Sequence, residues 1–305
     1  MKTIQDCKLY VITGEQYHPG KPLDEVMEAA IAGGADIVQL RDKEGSPAQR
    51  LAKAKLLRAL TRRHGALFIV NDDAELALAA DADGVHLGQD DMPLPEARIK
   101  VGAGKLIGIS THTLAQALEA ERGGADYVGV GPVYPTPTKP GRAAVTTAYV
   151  SQAAMQLRIP FFAIGGISPA TADDVLAAGA RRLCAVSAVV GQLDPAAACA
   201  LLRRSIERWE AQDRLRGSGR TAAHTAATES SGAGAGAGKR ISLLLNGKQA
   251  WCEASTLGAL ARSLRLAERR VMAELNGEAV PRADWDDVPI RADDRVEFVQ
   301  FVGGG

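Results

Sequence analysis

Aromatic residues are scarce, with 5 Phe, 5 Tyr and 3 Trp among 305 residues. Packing therefore falls to Val, Ile, Leu and Ala, the residues of buried strands and of the helices that cover them. Cysteine is sparse too. Cys7, Cys184, Cys199 and Cys252 are widely spaced and form no Cys-x-x-Cys pair, which fits reduced thiols better than a disulfide frame or a zinc site. Charge of either sign is not in excess: 36 Lys and Arg balance 36 Asp and Glu. That argues against broad binding to nucleic acid or to an anionic membrane, while leaving room for a local basic pocket. No apolar run is long enough to cross a bilayer, and the start, MKTIQDCKLYVITG, lacks the apolar core of a secretion signal. The expected compartment is the cytoplasm.

Large apolar side chains are also nearly missing from one internal stretch, residues 212–239, QDRLRGSGRTAAHTAATESSGAGAGAGK. Such a segment buries too little surface to offset its ordering entropy, so it is expected to be a flexible linker. It would separate a domain at 1–211 from a smaller one at 240–305.

In the first domain, short β-branched runs alternate with Ala- and Leu-rich amphipathic stretches. The expected strands are 9–13, 36–42, 67–72, 84–88, 106–111, 127–134, 160–167 and 182–189. An echo recurs in AAIAGGADIVQL, LEAERGGADYVGV and VLAAGARRLCAV, where a helix ending at glycine feeds the next strand. Nearly continuous apolar strands joined by helices indicate a parallel sheet covered by helices. Eight such units predict an α/β fold, a (β/α)8 TIM barrel, with an open doubly wound sheet as the alternative. Downstream, Asn246-Gly247 marks a hairpin, TLGALARSLRL a short helix, and Asn276-Gly277 a second turn before the alternating strand DRVEFVQFV. This order, ββαββ, predicts a small α+β domain.

Reactive groups of a (β/α)8 barrel gather at the C-terminal strand ends. Those ends supply Gln39, Arg41 and Lys43, then Asn71 and Asp72, Asp90 and Asp91, and Ser110, Thr111 and His112. Beyond strand six, the stretch YPTPTKPGR places Thr136, Thr138 and Lys139 in a loop too rich in proline for helix or central strand. Gly165 and Gly166 follow strand seven, and Ser187 lies on strand eight. Cations neutralise phosphate oxygens, carboxylates from two strands can hold Mg²⁺ that bridges them, and the glycines let backbone amides approach a second phosphate. Read singly, Asp72 could cap a helix, Asp90 and Asp91 could be solvated, and His86 is expected to be a packed histidine.

The motifs VQLRDK, VND, GVHLGQDD, GISTHT, GPVYPTPTK, AIGGI and AVSAV, in this order over residues 8–207, resemble thiamin phosphate synthase. That family joins hydroxymethylpyrimidine diphosphate to a thiazole phosphate and releases pyrophosphate. The resemblance implies pyrimidine diphosphate contacts at Gln39, Leu40, Arg41, Asp42, Lys43, Asn71, Ser110 and Lys139, with Lys139 and Ser110 at the chemistry. It implies Mg²⁺ at Asp72 and Asp91, since the family pattern is G-Q-x-D, and thiazole phosphate at Thr136, Pro137, Thr138, Gly166, Val186 and Ser187. Asp42 stands where relatives often have Glu. Residues 240–305 resemble the ubiquitin-like β-grasp sulfur carrier of thiamin biosynthesis, through LLLNGK, ELNGEAVPRADW and VEFVQFVGGG. This implies a thiocarboxylate at Gly305, beyond Gly304, with an adenylating enzyme and a thiazole synthase as partners. A thiazole tautomerase-like barrel and a non-catalytic scaffold for the carrier are the alternative readings.

Overall fold

The computed structural model describes residues 2–136, 144–229, 241–246, 248–252, 254–264, 266, 271–292 and 294–300. Eight parallel strands close into a barrel in chain order: β1 (Leu9–Ile12), β2 (Ile37–Leu40), β3 (Leu67–Asn71), β4 (Gly84–Leu87), β5 (Leu106–Thr111), β6 (Tyr127–Val130), β7 (Phe161–Ile164) and β8 (Leu183–Ala185). Between and after them lie α1 (Leu23–Ala32), α2 (Pro47–His64), α3 (Ala74–Ala79), α4 (Leu94–Val101), α5 (Leu114–Arg122), α6 (Thr146–Gln156), α7 (Ala172–Ala177), α8 (Ser187–Val190) and α9 (Pro195–Glu229).

Side chains alternate across each strand, so the barrel has two apolar layers. Val11, Val38, Leu40, Phe68, Val70 and Val85 belong to the core between sheet and helices. Tyr10, Ile12, Ile37, Ile69, Tyr127 and Phe162 fill the interior, where Phe162 meets Tyr10 edge-on with ring centroids 5.3 Å apart. The few aromatics of this chain thus do a concentrated job.

The glycine-rich echo has a physical counterpart at the N-terminal rim. Asp36, Asp83 and Asp126 each precede an even-numbered strand, and each accepts an N–H at the start of the strand before it. Asp36 Oδ2 accepts from Leu9 N at 3.0 Å and Arg203 Nη1 at 2.6 Å. Asp83 Oδ2 accepts from Phe68 N at 2.7 Å and Arg58 Nη1 at 2.8 Å. Asp126 Oδ2 accepts from Ile107 N at 2.7 Å and Arg98 Nη2 at 2.6 Å. Before β8 the equivalent position is Arg182, whose Nη2 donates instead to Gln5 O at 3.0 Å. The arginines come from α9, α2 and α4, so every staple joins two strands to a helix.

Several boundaries differ from the sequence expectation; β2 and β7 are shorter than read, ending at Leu40 and Ile164. β6 stops at Val130, because the following Gly131-Pro132 removes a ladder donor. β8 stops at Ala185, and Ser187 opens α8 rather than lying on a strand. The helix α9 continues to Glu229, into the stretch read as a flexible linker from residue 212. That stretch is rich in Ala and Arg and free of proline up to Glu229, so helical propensity suffices where apolar burial is missing. The remainder of the linker reading, 230–239, falls outside the described residues.

The chain divides into two compact units, Met1–His224 and Thr225–Gly305. The second contains β9 (Ile241–Leu245), β10 (Lys248–Cys252), α10 (Leu257–Ser263), β11 (Val271–Leu275), β12 (Glu278–Val280) and β13 (Arg295–Gln300). Its sheet order is β10-β9-β13-β11-β12, with β13 parallel to β9 and antiparallel to β11. One strand more than expected is present, because the turn at Asn276-Gly277 closes a true hairpin between β11 and β12. This is a ubiquitin-like β-grasp sheet. Its own core gathers Leu243, Leu257, Leu260, Trp285, Ile290 and Val296. Among the described residues no helix is long and apolar enough to cross a membrane.

Candidate active site

Strand alternation decides which residues meet at the C-terminal rim. Ile37 points into the barrel, so Gln39 does too, and it is almost fully buried. Its Nε2 donates to Tyr10 Oη at 2.6 Å. Leu40, of opposite parity, packs against the helices, so its side chain is turned away from the rim. Arg41 lines a small cavity of about 60 Å³ at the barrel mouth together with Ser110, His112, Thr136 and Gly165. Among the described residues, the buried Arg41 Nε has no hydrogen-bond partner, a feature it shares with Arg50, Arg58 and Arg182; what sets Arg41 apart is its place in the wall of the mouth cavity.

A larger cleft of about 450 Å³ opens beside it, lined by Asp42, Lys43, Arg50, Asn71, Asp72 and Asp73 among others. Asp42 faces this cleft, but its carboxylate is engaged: Oδ1 accepts from Glu44 N at 3.1 Å and Gly45 N at 2.8 Å, and Oδ2 from Lys53 Nζ at 2.7 Å. Lys43 reaches Asp72, Nζ to Oδ2, at 3.3 Å. Asp72 sits directly after β3 with φ of 62°, a left-handed backbone uncommon outside glycine and strain that clusters at functional sites. Asp73, not Asp72, caps α3, accepting from Leu76 N at 2.9 Å.

Asp91 arrives from the β4–α4 loop, where its Oδ2 accepts from Gly88 N at 2.6 Å. It lies within hydrogen-bonding reach of Asp72. Burial first, and then the facing Asp91, push the Asp72 carboxyl above its usual range, while Lys43 opposes the shift. Two carboxylates against a single lysine leave negative charge that a cation would offset. Among the described residues no third His, Cys, Asp or Glu joins them. A pair matches the protein share of an ordinary Mg²⁺ site, in which substrate phosphates supply further oxygens.

Ser110, inward-facing on β5, is held from below. Its Oγ is 2.9 Å from His86 Nε2, and His86 Nδ1 is 3.2 Å from Tyr127 Oη. Tyr127 Oη is in turn 3.1 Å from Tyr10 Oη, the acceptor of Gln39. His86 is indeed packed, but it also links Ser110 to Gln39 through two buried hydroxyls. Burial raises both tyrosines above the ordinary phenol range, so they stay protonated. An inward parity for His86 was readable in GVHL; its partners, 24 and 41 residues away, were not.

After β7, Gly165 and Gly166 adopt φ of 97° and 66°. A Cβ on Gly165 would lie 2.4 Å from Pro132 Cα, and one on Gly166 would lie 2.6 Å from Tyr134 Cβ. No larger residue fits this approach of the β7 loop to the β6 loop. Val186 and Ser187 follow at the neighbouring strand end, because β7 pairs with β8. Pro137, Thr138 and Lys139 lie outside the described residues, as do Gly304 and Gly305. The structure therefore gathers Gln39, Arg41, Lys43, Asn71, Asp72, Asp91, Ser110 and Thr136 at one rim. It turns Leu40 away and ties Asp42 to the scaffold.

Residues 9–189 match the thiamine monophosphate synthase family, and residues 242–305 match the ThiS family. A thiamine-phosphate synthase from Halalkalibacterium halodurans is 50% identical over 206 residues, 67% of this chain and 98% of that protein. Another from Shouchella clausii is 50% identical over 201 residues, 66% of this chain and 96% of that protein. The solved thiamine phosphate pyrophosphorylase from Pyrococcus furiosus is 39% identical with a TM-score of 0.62, covering 67% of this chain and 96% of that one. The rim of charges, the closed barrel that carries it and these full-length likenesses agree: the chain belongs to the thiamine monophosphate synthase family and continues into a ThiS-family segment.

Proposed function

We propose that the barrel joins hydroxymethylpyrimidine diphosphate to thiazole phosphate, giving thiamin phosphate and pyrophosphate in the cytoplasm. The observation that carries this reading is the convergence of Arg41, Lys43, Asp72 and Asp91 at one rim of a closed barrel from three loops. Arg41, with an unpartnered buried donor, and Lys43 bind the diphosphate. Asp72 and Asp91 would hold Mg²⁺, which when bound supplies positive charge to the diphosphate oxygens. Gln39 and Ser110, fixed through Tyr10, Tyr127 and His86, orient the pyrimidine over the barrel interior.

Bond cleavage leaves electrons on the diphosphate and a cation on the pyrimidine methylene, which the electron-rich aminopyrimidine stabilises. Lys139 neutralises the departing charge, and the thiazole nitrogen then attacks the methylene carbon. No covalent bond to the enzyme forms. Thr136, Pro137, Thr138, Gly166, Val186 and Ser187 hold the thiazole phosphate. The glycine conformations at the β7 loop support this, because they leave backbone amides approachable. Gln39, Arg41, Lys43 and Asn71 serve the other substrate, so the two phosphorylated partners enter from opposite sides of the mouth.

The second unit acts as a sulfur carrier, adenylated and then thiocarboxylated at Gly305 by an adenylating enzyme and discharged at a thiazole synthase. Terminal glycines suit entry into a narrow cleft. Incubating the protein with both substrates and Mg²⁺ tests the barrel reading: thiamin phosphate and pyrophosphate should appear in equal amounts. Lys139→Ala should lower turnover at saturating substrate by about 10²–10³-fold, as loss of a charge-stabilising donor does. Absence of product from the intact chain refutes the synthase role, and near-normal turnover of the variant refutes that of Lys139.

A further inference from the structure

Two cations on α2 reach three of the loops that build the site; Arg50 also lines the larger cleft, whereas Lys53 lies behind it. Arg50 and Lys53 are three residues apart and share one helix face. Lys53 Nζ bridges Glu15 Oε2 at 2.5 Å and Asp42 Oδ2 at 2.7 Å. Arg50 Nη1 reaches Asp73 Oδ2 at 3.2 Å. Glu15 lies in the β1–α1 loop, Asp42 in the β2–α2 loop and Asp73 in the β3–α3 loop.

Two of the acidic partners, Asp42 and Asp73, are fixed on their other side. The second oxygen of Asp42 folds the loop at Glu44 and Gly45, immediately after Lys43. Asp73 caps α3 through Leu76 N, and its own N–H donates to Asn71 O at 2.8 Å, closing the turn that holds Asp72 in the left-handed region. Lys53 therefore acts on the loop of Arg41 and Lys43, while Arg50 acts on the turn of Asp72. The helix between them is stiffened by a capping box at Ser46 and Gln49 and anchored by buried Ala54, Leu57 and Leu60. The half-exposed pairs Lys53–Glu15 and Arg50–Asp73 contribute little to global stability, whereas Asp42, 8% exposed, depends more on Lys53.

We propose that Lys53 and Arg50 are positioning residues, a two-cation clamp that sets the separation of the cationic loop 41–45 from the carboxylate turn 71–73. The proposal rests on the diphosphate site assigned above and adds residues that the family motifs do not contain. Loss of a supporting contact of this kind typically weakens metal binding or activity about 10–100-fold.

The test compares wild type with Lys53→Met, Lys53→Arg, Arg50→Ala and Arg41→Ala. Calorimetric titration with magnesium pyrophosphate and KM for each substrate are the readouts, with thermal midpoints alongside. Lys53→Met should raise the pyrophosphate Kd and the pyrimidine diphosphate KM about tenfold, with thiazole phosphate KM unchanged and any fall in thermal midpoint reversed in Lys53→Arg. Lys53→Arg should restore most of the affinity, and Arg50→Ala should raise the Mg²⁺ concentration needed for half-saturation. The clamp is overturned if Lys53→Met leaves both constants at the wild-type value, moves both substrates alike, or lowers the thermal midpoint without rescue by Lys53→Arg. Arg41→Ala separates the two levels: if it too leaves pyrophosphate affinity unchanged, the site assignment fails and the clamp with it; if it alone weakens binding, only the clamp fails.

Discussion

Asp36 shows how one carboxylate ties distant parts of the barrel. Its Oδ1 accepts from Lys2 Nζ at 2.5 Å, and its Oδ2 from Lys8 N at 2.7 Å, Leu9 N and Arg203 Nη1. Burial alone would raise its pKa, but these four donors outweigh it and the net shift is downward. A folded pKa below the unfolded value of about 3.9 means stability that is present above that value and lost as pH falls through the folded one. Asp36→Asn should therefore cost on the order of 2 kcal/mol at pH 7, the worth of hydrogen bonds to a charged group. The difference should shrink as both proteins are moved to about pH 3, below the unfolded value. Parallel denaturant titrations at several pH values would check it, and a gap that stays constant would show that Asp36 does not act through its charge.

At the scale of elements, the sequence exposed what is periodic and hid what is not. Eight strands were legible because each is a short apolar run flanked by glycine or polar turns, and their inward parity placed Gln39, Arg41, Asn71 and Ser110 on one rim. What stayed hidden joins residues far apart in the chain. Asp72 faces Asp91 and Lys53 reaches Glu15 only because neighbouring βα loops close on a shared rim. No local pattern announces such pairs, and the same side chains read singly look like caps or surface charges. The continuation of α9 into residues 212–229 was hidden for a different reason: poverty in large apolar residues reads as a linker, yet helix propensity needs none of them. The start of α2, by contrast, is written in its sequence. Ser46 Oγ accepts from Gln49 N at 3.3 Å and Gln49 Oε1 accepts from Ser46 N at 2.8 Å. Ser46→Ala should destabilise the barrel by about 1 kcal/mol in urea unfolding. A change well below that would mean Pro47 and the apolar face of α2 define its start unaided.

For the whole molecule, the decisive fact is that each unit owns a complete core. Barrel and helices bury their apolar faces within Met1–His224, and the β-grasp sheet closes over α10 around Leu257, Leu260 and Trp285. Among the described residues, each sheet is built of its own unit's strands. Covalent fusion then sets the effective concentration of one unit near the other, and separate cores predict that each folds without it. The catalytic rim assigned here draws only on residues before 188, so fragment 1–229 should retain the kcat and both KM values of the intact chain. Fragment 241–305 should unfold in a single cooperative transition on its own. Intact mass of that fragment, after treatment with an adenylating enzyme, ATP and a sulfur source, should show sulfur in place of one oxygen, and removal of Gly305 should abolish the change while the barrel's kinetics stay put. If instead the 1–229 fragment folds but loses turnover, the second unit contributes to synthesis itself and the two activities are not separable.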